Sequence, residues 1–198
     1  MYTGIRKQNR NLSIARSLGQ CPLVTVGLTS GRKAKSIRKP KMTLPAKARH
    51  VQKILLSLGV NTKVTQLSES TRTAKDAASA LNCALGQIVK SLVFRVNDNP
   101  ILVLVSGSNH VDERLLESLV GSPIQRARAD FVRQHTGHAI GGVAPIGHPK
   151  PIPTFVDGDL LNYEQVWAAA GGPYAVFSCK PSFLATLGEV IRVTPAAG

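Results

Sequence analysis

A single lysine lies within a run of residues that otherwise has the pattern of a buried β-strand. The run is GQIVKSLVF, residues 86–94, and the lysine is Lys90. Because side chains alternate along a strand, Lys90 shares a face with Ile88, Leu92 and Phe94. A lone ammonium group on such a face is costly to bury. It must therefore reach water, pair with an acid or point into a polar pocket, and the residues alone favour the first two.

The glycine- and proline-rich segment GGVAP, residues 141–145, is a second candidate for chemistry. Gly141 and Gly142 can take positive φ and let a ligand approach the backbone, and Pro145 stiffens the turn. A loop of this kind can aim backbone N–H groups at an oxygen that becomes negatively charged during a reaction. Taken alone, the same segment is also compatible with an ordinary loop.

Other patterns of reactive residues give no further candidate. His135 and His138 form an HxxH pair, but Gly137 lies between them at a predicted helix end, and no Glu or Cys follows at ligand spacing. We therefore expect exposed or helix-capping histidines, no metal and no other cofactor. The sequence also lacks a GxSxG nucleophile elbow, a GxxxxGK[ST] phosphate loop and a GxGxxG dinucleotide motif.

The elements that carry these residues follow from the patterning of apolar side chains. Helical spacing predicts helices at 46–59, 71–83, 111–121, 129–137 and 181–188. Apolar runs predict strands at 60–67, 88–96, 101–106, 154–157, 174–179 and 190–194, and the turn NDNP joins the second and third into a hairpin. Because strands and helices mix without strict βαβ alternation, we expect an α/β or α+β domain built on a mixed sheet.

The formal net charge of +14 is concentrated at the N-terminus. Residues 1–41 contain ten of the 25 Lys and Arg and no acid, whereas the remaining 15 basic and 11 acidic residues give 42–198 only +4. Three interpretations stay open: a nucleic-acid-binding arm, an organelle transit peptide, or an untranslated extension upstream of Met42. We assign 1–44 to a disordered basic tail and 45–198 to a single domain.

Five ordered segments carry a resemblance to a known family. They are TRTAKDAASALNCALGQIVKSLVFRV, ILVLVSG, VDERLLESL, TGHAIGGVAPIGHPKPIPTFVD and WAAAGGPYAVF. Together they resemble the YbaK/ProX family of aminoacyl-tRNA deacylases, relatives of the prolyl-tRNA synthetase editing domain, over about residues 45–195. The resemblance implies a mixed, partly barrel-like β-sheet surrounded by helices. It also implies trans-editing, the hydrolysis of the ester that joins a wrong amino acid to the 3′-terminal adenosine of a tRNA.

The resemblance also implies the roles of particular residues. The family's VK[ST]L lysine corresponds to Lys90, and its GxxxP loop corresponds to residues 141–145. The implied catalytic residues are Lys90, Gly141, Gly142 and Pro145, and the implied substrate-binding residues are Leu67, Arg72, Ser91, Val143, Ala144, Ala170 and Gly171. A fixed ammonium can hold the terminal phosphate or ribose, while loop amides bind the ester carbonyl as it becomes tetrahedral. In this family a ribose hydroxyl of the substrate is thought to assist the attacking water, which agrees with the missing nucleophile motif.

Two positions depart from the family's cysteinyl-tRNA(Pro) deacylases. Leu67 stands where they carry Tyr, and Ala170 stands where they carry Ser before a Gly-Gly pair. Both are expected to line the amino-acid pocket, so the cysteine preference is not carried over. We expect the substrate to be tRNA(Pro) charged with some small wrong amino acid. Pocket shape discriminates side chains by only ~1–3 kcal/mol per methylene, so a few residues in the pocket wall can redirect the amino-acid preference.

The expected partner is the acceptor end of an aminoacyl-tRNA, and the resemblance allows prolyl-tRNA synthetase as another. The alternative is a non-catalytic tRNA- or synthetase-binding module of the same fold, in which the basic tail supplies phosphate affinity. No apolar run approaches the ~18 residues of a membrane helix, so we expect no membrane partner. The expected location is the cytoplasm, or an organelle if residues 1–41 are a transit peptide.

Overall fold

The computed structural model describes residues 44–68 and 73–194, which form five α-helices and eight β-strands. The helices are α1 (Ala46–Ser57), α2 (Ala74–Leu81), α3 (Glu113–Val120), α4 (Ala129–Thr136) and α5 (Pro181–Ala185). The strands are β1 (Thr65–Gln66), β2 (Ile88–Val96), β3 (Asn99–Ser106), β4 (Gln125–Arg126), β5 (Thr154–Asp157), β6 (Val166–Gly172), β7 (Ala175–Cys179) and β8 (Glu189–Ile191). Arg72 and nearly all of the predicted tail lie outside the described residues, so those predictions stay predictions.

The strands form one mixed sheet, which confirms the predicted fold class. Their order is β1-β7-β6-β2-β3-β5-β8, and β4 pairs with β2. Three pairs are parallel, namely β2–β6, β3–β5 and β5–β8, and the others are antiparallel. The predicted hairpin is β2–β3, whose two-residue turn holds Asn97 at φ 45° and Asp98 at φ 68°. Positive φ at both turn residues suits the right-handed twist of the strands on either side.

The helices begin and end at residues that the sequence marks. At α3 the Asp112 carboxylate accepts hydrogen bonds from the N–H groups of Arg114 and Leu115, at 2.9 and 3.1 Å, and the helix ends at Gly121 with φ 71°. These contacts satisfy backbone groups that a helix end leaves unpaired. The longest helix, α1, has 12 residues, and no helix in 44–68 or 73–194 could cross a membrane.

The core lies on both faces of the central strand β3. Leu104 belongs to the apolar cluster on one face, which also contains Leu55 of α1, whereas Val103 and Val105 belong to the opposite cluster with Leu116 of α3. All five side chains are at most 2% exposed. Because β2 pairs with β3 from Val89 to Val96, burial of β3 holds β2 firmly in place.

Two strands were not predicted, and both pair with β2. β6 reads VWAAAGG, and Ala and Gly are depleted in strands, so its conformation comes from pairing with β7 and β2 rather than from propensity. β4 has only two residues. The predicted strand over 60–67 is reduced to the two residues of β1. The missed strands matter because they define the opening in the sheet at which the candidate site lies.

Candidate active site

The outer edge of β2 is divided between two strands. Ile88 and Val89 pair with β6, and Phe94 and Arg95 pair with β4, while β3 pairs with the opposite edge from Val89 to Val96. Between the two short pairings, residues 90–93 face no strand on that edge within the described chain. The sheet therefore has an opening at the position of Lys90.

Two cavities meet at this opening. The first, of about 320 Å³, lies between α2, β2, β6 and residues 140–143. The second, of about 330 Å³, lies between β2, residues 110–111, the end of β4 and α4. Both are lined by Lys90, Ser91, Leu92, Ile140 and Val143, and the first also by Gly141. The structure thus brings together the lysine, the serine that follows it and the glycine-rich loop.

The Lys90 ammonium is held at the cavity wall by backbone oxygens. Its Nζ donates to the carbonyl oxygens of Gly107, at 3.3 Å, and Asn109, both in the turn after β3. Burial lowers the pKa of Lys90, and the negative charge of Asp157 partly opposes this. An ammonium has three donors, of which two are used within the described chain, so one remains for a ligand.

Asp157 organises the turn that holds the lysine. This carboxylate is 2% exposed and accepts hydrogen bonds from the Ser106 N–H, at 3.0 Å, and the Asn109 side-chain amide, at 2.9 Å. The Lys90 ammonium is therefore bound to carbonyls that a buried acid positions. The sequence analysis missed Asp157, although a polar residue directly after the apolar run TFV was a usable signal.

The glycine-rich loop packs tightly against the end of β6. Gly141 has φ +82°, a conformation that L side chains rarely adopt. At Gly142 an added Cβ would lie 2.7 Å from the Cα of Gly172, so only a glycine permits this approach. Within the loop, Ala144 and Pro145 are buried. The backbone of 141–145 is consequently held against the end of β6.

Two N–H groups of this loop are available for a ligand. The Gly142 N–H donates to the Ala139 carbonyl at 3.0 Å, the Ala144 N–H donates to His138 Nδ1 at 3.3 Å, and Pro145 has no N–H. The N–H groups of Gly141 and Val143 have no hydrogen-bond partner in 44–68 or 73–194. Of the loop N–H groups predicted to bind the ester carbonyl, those of Gly141 and Val143 therefore remain as candidates.

Two histidines bind the backbone of Ala144, one at its N–H and the other at its C=O. His138 Nδ1 accepts from the Ala144 N–H, and His148 Nε2 donates to the Ala144 carbonyl at 2.9 Å. The prediction that His138 is exposed or caps a helix is wrong, because the loop and the neighbouring strand leave it 3% exposed. Burial, then the charges of His148, Lys47 and His50, lower the pKa of His138 to about 4, and burial also lowers the pKa of His148.

The other predicted binding residues lie farther from the opening. Leu67 is half-buried and Ala170 is fully buried in the core, and neither belongs to the described residues that line the two cavities. The alternate residue of β6, Ala169, lines the first cavity instead. Gly171 lies against the ring of His138, since an added Cβ would be 3.2 Å from His138 Nε2.

Comparison with known proteins gives a consistent result. The family profile described as "Aminoacyl-tRNA editing domain" matches residues 68–187. A Bacillus subtilis protein, YwhH, is 30% identical over 122 residues, which are 61% of this chain and 78% of that protein. A candidate Cys-tRNA(Pro)/Cys-tRNA(Cys) deacylase of Enterococcus faecalis is 27% identical over 131 residues, 64% of this chain and 80% of that protein. A crystal structure of a candidate trans-editing enzyme for prolyl tRNA synthetase has 45% identity and a TM-score of 0.74, covering 78% of this chain and all of that one.

The mixed sheet, the cavity-lining lysine and these matches define a tRNA-editing class of protein. The chain belongs to the aminoacyl-tRNA editing domain family. Its enzyme class is aminoacyl-tRNA deacylase, which confirms the family resemblance and the enzyme prediction. The roles of individual site residues stay predictions.

We expect Gly142→Ala to destabilise the protein by about 1–3 kcal/mol, because its Cβ would meet the Gly172 backbone and force the loop to move. Gly172→Ala is the matched control, since nothing lies within 4 Å of a Cβ there. Urea denaturation of both variants measures the difference. Equal free energies of unfolding for the two variants would show that the close approach is unimportant.

We expect the stability contribution of His138 to be complete above pH 6.5 and to be lost as pH falls toward 4. The folded state binds the proton less readily than the unfolded state, so the free energy of unfolding decreases as the pH is lowered through that window. His138→Asn keeps an acceptor but does not titrate, and should flatten the dependence of unfolding free energy on pH. The exposed His110→Asn is the control. A His138→Asn profile that parallels the wild type would contradict the assignment.

Proposed function

We propose that this protein hydrolyses the ester of a mischarged aminoacyl-tRNA, and that its substrate is tRNA(Pro) carrying a small wrong amino acid. Membership of the editing-domain family supports the class of reaction. Two relatives support tRNA(Pro): the candidate Cys-tRNA(Pro) deacylase and the candidate trans-editing enzyme for prolyl tRNA synthetase. The same proposal includes the acceptor end as the bound part of the tRNA, prolyl-tRNA synthetase as a partner and the cytoplasm as the location.

The observation that carries the proposal is a fixed Lys90 ammonium in the wall of the same cavity as Gly141 and Val143, whose N–H groups have no hydrogen-bond partner among the described residues. The substrate has an anionic and polar end, its terminal phosphate and ribose, joined through an ester carbonyl to the amino acid. Lys90 is placed to bind the phosphate or ribose with its remaining donor. The N–H groups of Gly141 and Val143 are candidates to bind the carbonyl oxygen as negative charge develops on it.

The reaction needs no protein nucleophile. The oxygen of a water molecule forms a bond to the ester carbonyl carbon, and the carbonyl oxygen becomes the anion of a tetrahedral intermediate. When the intermediate collapses, the bond between that carbon and the ribose oxygen breaks. The proton released by the water ends on the ribose oxygen, and the neighbouring ribose hydroxyl assists its transfer. The products are a free amino acid and an uncharged tRNA.

Small apolar side chains in the wall of the first cavity leave space for the amino-acid side chain of the substrate. The first cavity is lined largely by apolar side chains, among them Ala74, Ala77, Ala168 and Ala169, with Trp167 beside them. An apolar pocket distinguishes neighbouring side chains by only ~1–3 kcal/mol per methylene, so selection within the small amino acids rests on the shape of these walls.

We expect the full chain to deacylate at least one of the glycyl, alanyl, seryl and cysteinyl esters of tRNA(Pro). Lys90→Ala should lower kcat/KM by about 100-fold or more, since a fixed charge or donor at the reacting group contributes about that much. The exposed Lys53→Ala on α1 makes the same chemical change away from both cavities and should keep wild-type activity. Release of labelled amino acid measures the rates, and circular dichroism checks the fold.

Two outcomes would count against this proposal in different ways. Full activity of Lys90→Ala would remove that residue from the mechanism while leaving the deacylase intact. Absence of turnover on the whole panel, together with tight and steeply salt-dependent tRNA binding, would support the non-catalytic binding module instead.

A further inference from the structure

Every second residue of β2 turns its backbone groups away from β3. Val93 and Leu102 face each other across the two strands, yet they exchange no hydrogen bond. The Val93 carbonyl accepts from the Ala127 N–H at 3.3 Å, and the Leu102 N–H donates to the Pro153 carbonyl at 2.9 Å. Hydrogen-bonded and non-hydrogen-bonded pairs alternate along an antiparallel ladder. The N–H and C=O groups of Val89, Ser91, Val93 and Arg95 therefore point to the outer edge.

Ser91 is the member of this set that has no partner in the described chain. Val89 lies in the pairing with β6, Val93 bonds to Ala127, and Arg95 lies in the pairing with β4. No backbone hydrogen bond joins Ser91 to another described residue on that edge. The Ser91 Oγ is also buried and has no hydrogen-bond partner in 44–68 or 73–194. Leaving a buried polar group unpaired costs about 1–3 kcal/mol, so the buried Oγ and the N–H and C=O groups of this cavity-lining residue, which have no partner among the described residues, together point to a ligand.

We propose that Ser91 binds the α-amino acid part of the ester as a one-residue β-bridge. The Ser91 carbonyl oxygen accepts a hydrogen bond from the α-ammonium group, and the Ser91 N–H donates to the ester carbonyl oxygen. This inference rests on the proposed deacylase function and adds how the substrate is recognised.

The chemistry of the two partners matches. In a hydrogen-bonded antiparallel pair, the two facing residues exchange both N–H···O bonds. An aminoacyl ester carries the same unit, a nitrogen and a carbonyl on one α-carbon, and its ammonium makes the hydrogen bond to Ser91 charge-assisted. The ester carbonyl oxygen accepts two hydrogen bonds, so the Ser91 N–H and a loop N–H can bind it together.

The bridge also fixes where the amino-acid side chain lies. Residues that face each other in an antiparallel pair place their side chains on the same face, about 4.5–5.5 Å apart at Cβ. The side chain of an L-amino acid substrate then lies beside the Ser91 Oγ. This is the face of β2 that carries Val89 and Val93, which belong to the same apolar cluster as Val143. Backbone binding is common to all amino acids, whereas the space beside Ser91 selects among them.

The α-ammonium contact is tested with a substrate that lacks the nitrogen. We expect the best ester of the tRNA(Pro) panel to lose about 10- to 100-fold in kcat/KM when its ammonium is replaced by a hydroxyl, because a charge-assisted hydrogen bond is lost. The enzyme-free hydrolysis rates of the two esters normalise their different reactivities. Equal normalised kcat/KM values would overturn the bridge and leave the deacylase standing, whereas hydrolysis of no panel member would overturn the deacylase itself.

The side-chain contact is tested at Ser91. Ser91→Val narrows the space beside it and should change the ratio of kcat/KM for glycyl and cysteinyl esters by about 10-fold, the scale of one methylene. Ser91→Ala removes an unpartnered hydroxyl and should leave stability unchanged or raised. Ser178→Val on β7 is the control, since Ser178 lines neither cavity. An unchanged ratio, or a uniform loss of activity with lowered stability, would overturn the specificity role.

A binding measurement separates recognition from turnover. The probe is aminoacyl-3′-amino-3′-deoxyadenosine, in which a stable amide replaces the ester. Titrated into the ¹⁵N-labelled full chain, it should shift the Ser91 amide signal more than that of Arg95, which pairs with β4. Saturable binding with no movement of the Ser91 signal would overturn the bridge whether or not any ester is hydrolysed.

Discussion

The divided outer edge of β2 is the constraint on which the rest of this site depends. Had one long strand paired with the whole edge, residues 90–93 would have had no access to a ligand. Instead β6 and β4 each cover one end, and the opening between them contains the two cavities. β2 keeps its position because β3 pairs with its opposite edge from Val89 onward and is itself buried on both faces. A rigid scaffold thus carries a local gap in hydrogen bonding.

A charge placed in such a gap needs partners that do not neutralise it. The Lys90 ammonium binds carbonyl oxygens, which stabilise a positive charge but carry no full negative charge of their own. The acid that organises them, Asp157, bonds to the turn. A direct ion pair would compete with an anionic substrate for the lysine. The indirect arrangement holds the ammonium in place and leaves it able to bind a phosphate or ribose oxygen.

The sequence predicted the elements whose signals are local. The β2–β3 hairpin and α3 follow from strand patterning, a turn motif, an N-cap aspartate and a terminal glycine. β6 was missed because VWAAAGG has low strand propensity, and pairing across the sheet fixes its conformation. The local sequence around Lys90 favoured a contact with water or with an acid. It could not indicate the carbonyl partners, because they lie 17 and 19 positions away. The family resemblance linked Lys90 to the loop, but no local pattern indicated the burial of His138 or the unpaired edge at Ser91.

If the reaction proceeds without a protein nucleophile, as proposed, fixed dipoles must stabilise the transition state, and the loop is the candidate for that role. A donor contributes to catalysis only if it points at the developing anion before the reaction begins. The close approach of Gly142 to Gly172 fixes the position of the loop, and the two histidines bind the N–H and the C=O of Ala144. With the peptides on either side fixed, the Val143 N–H cannot rotate toward another partner. In the proposed mechanism the buried histidines act through the backbone, because neutral His138 accepts from the Ala144 N–H and this contact restrains the neighbouring Val143 peptide.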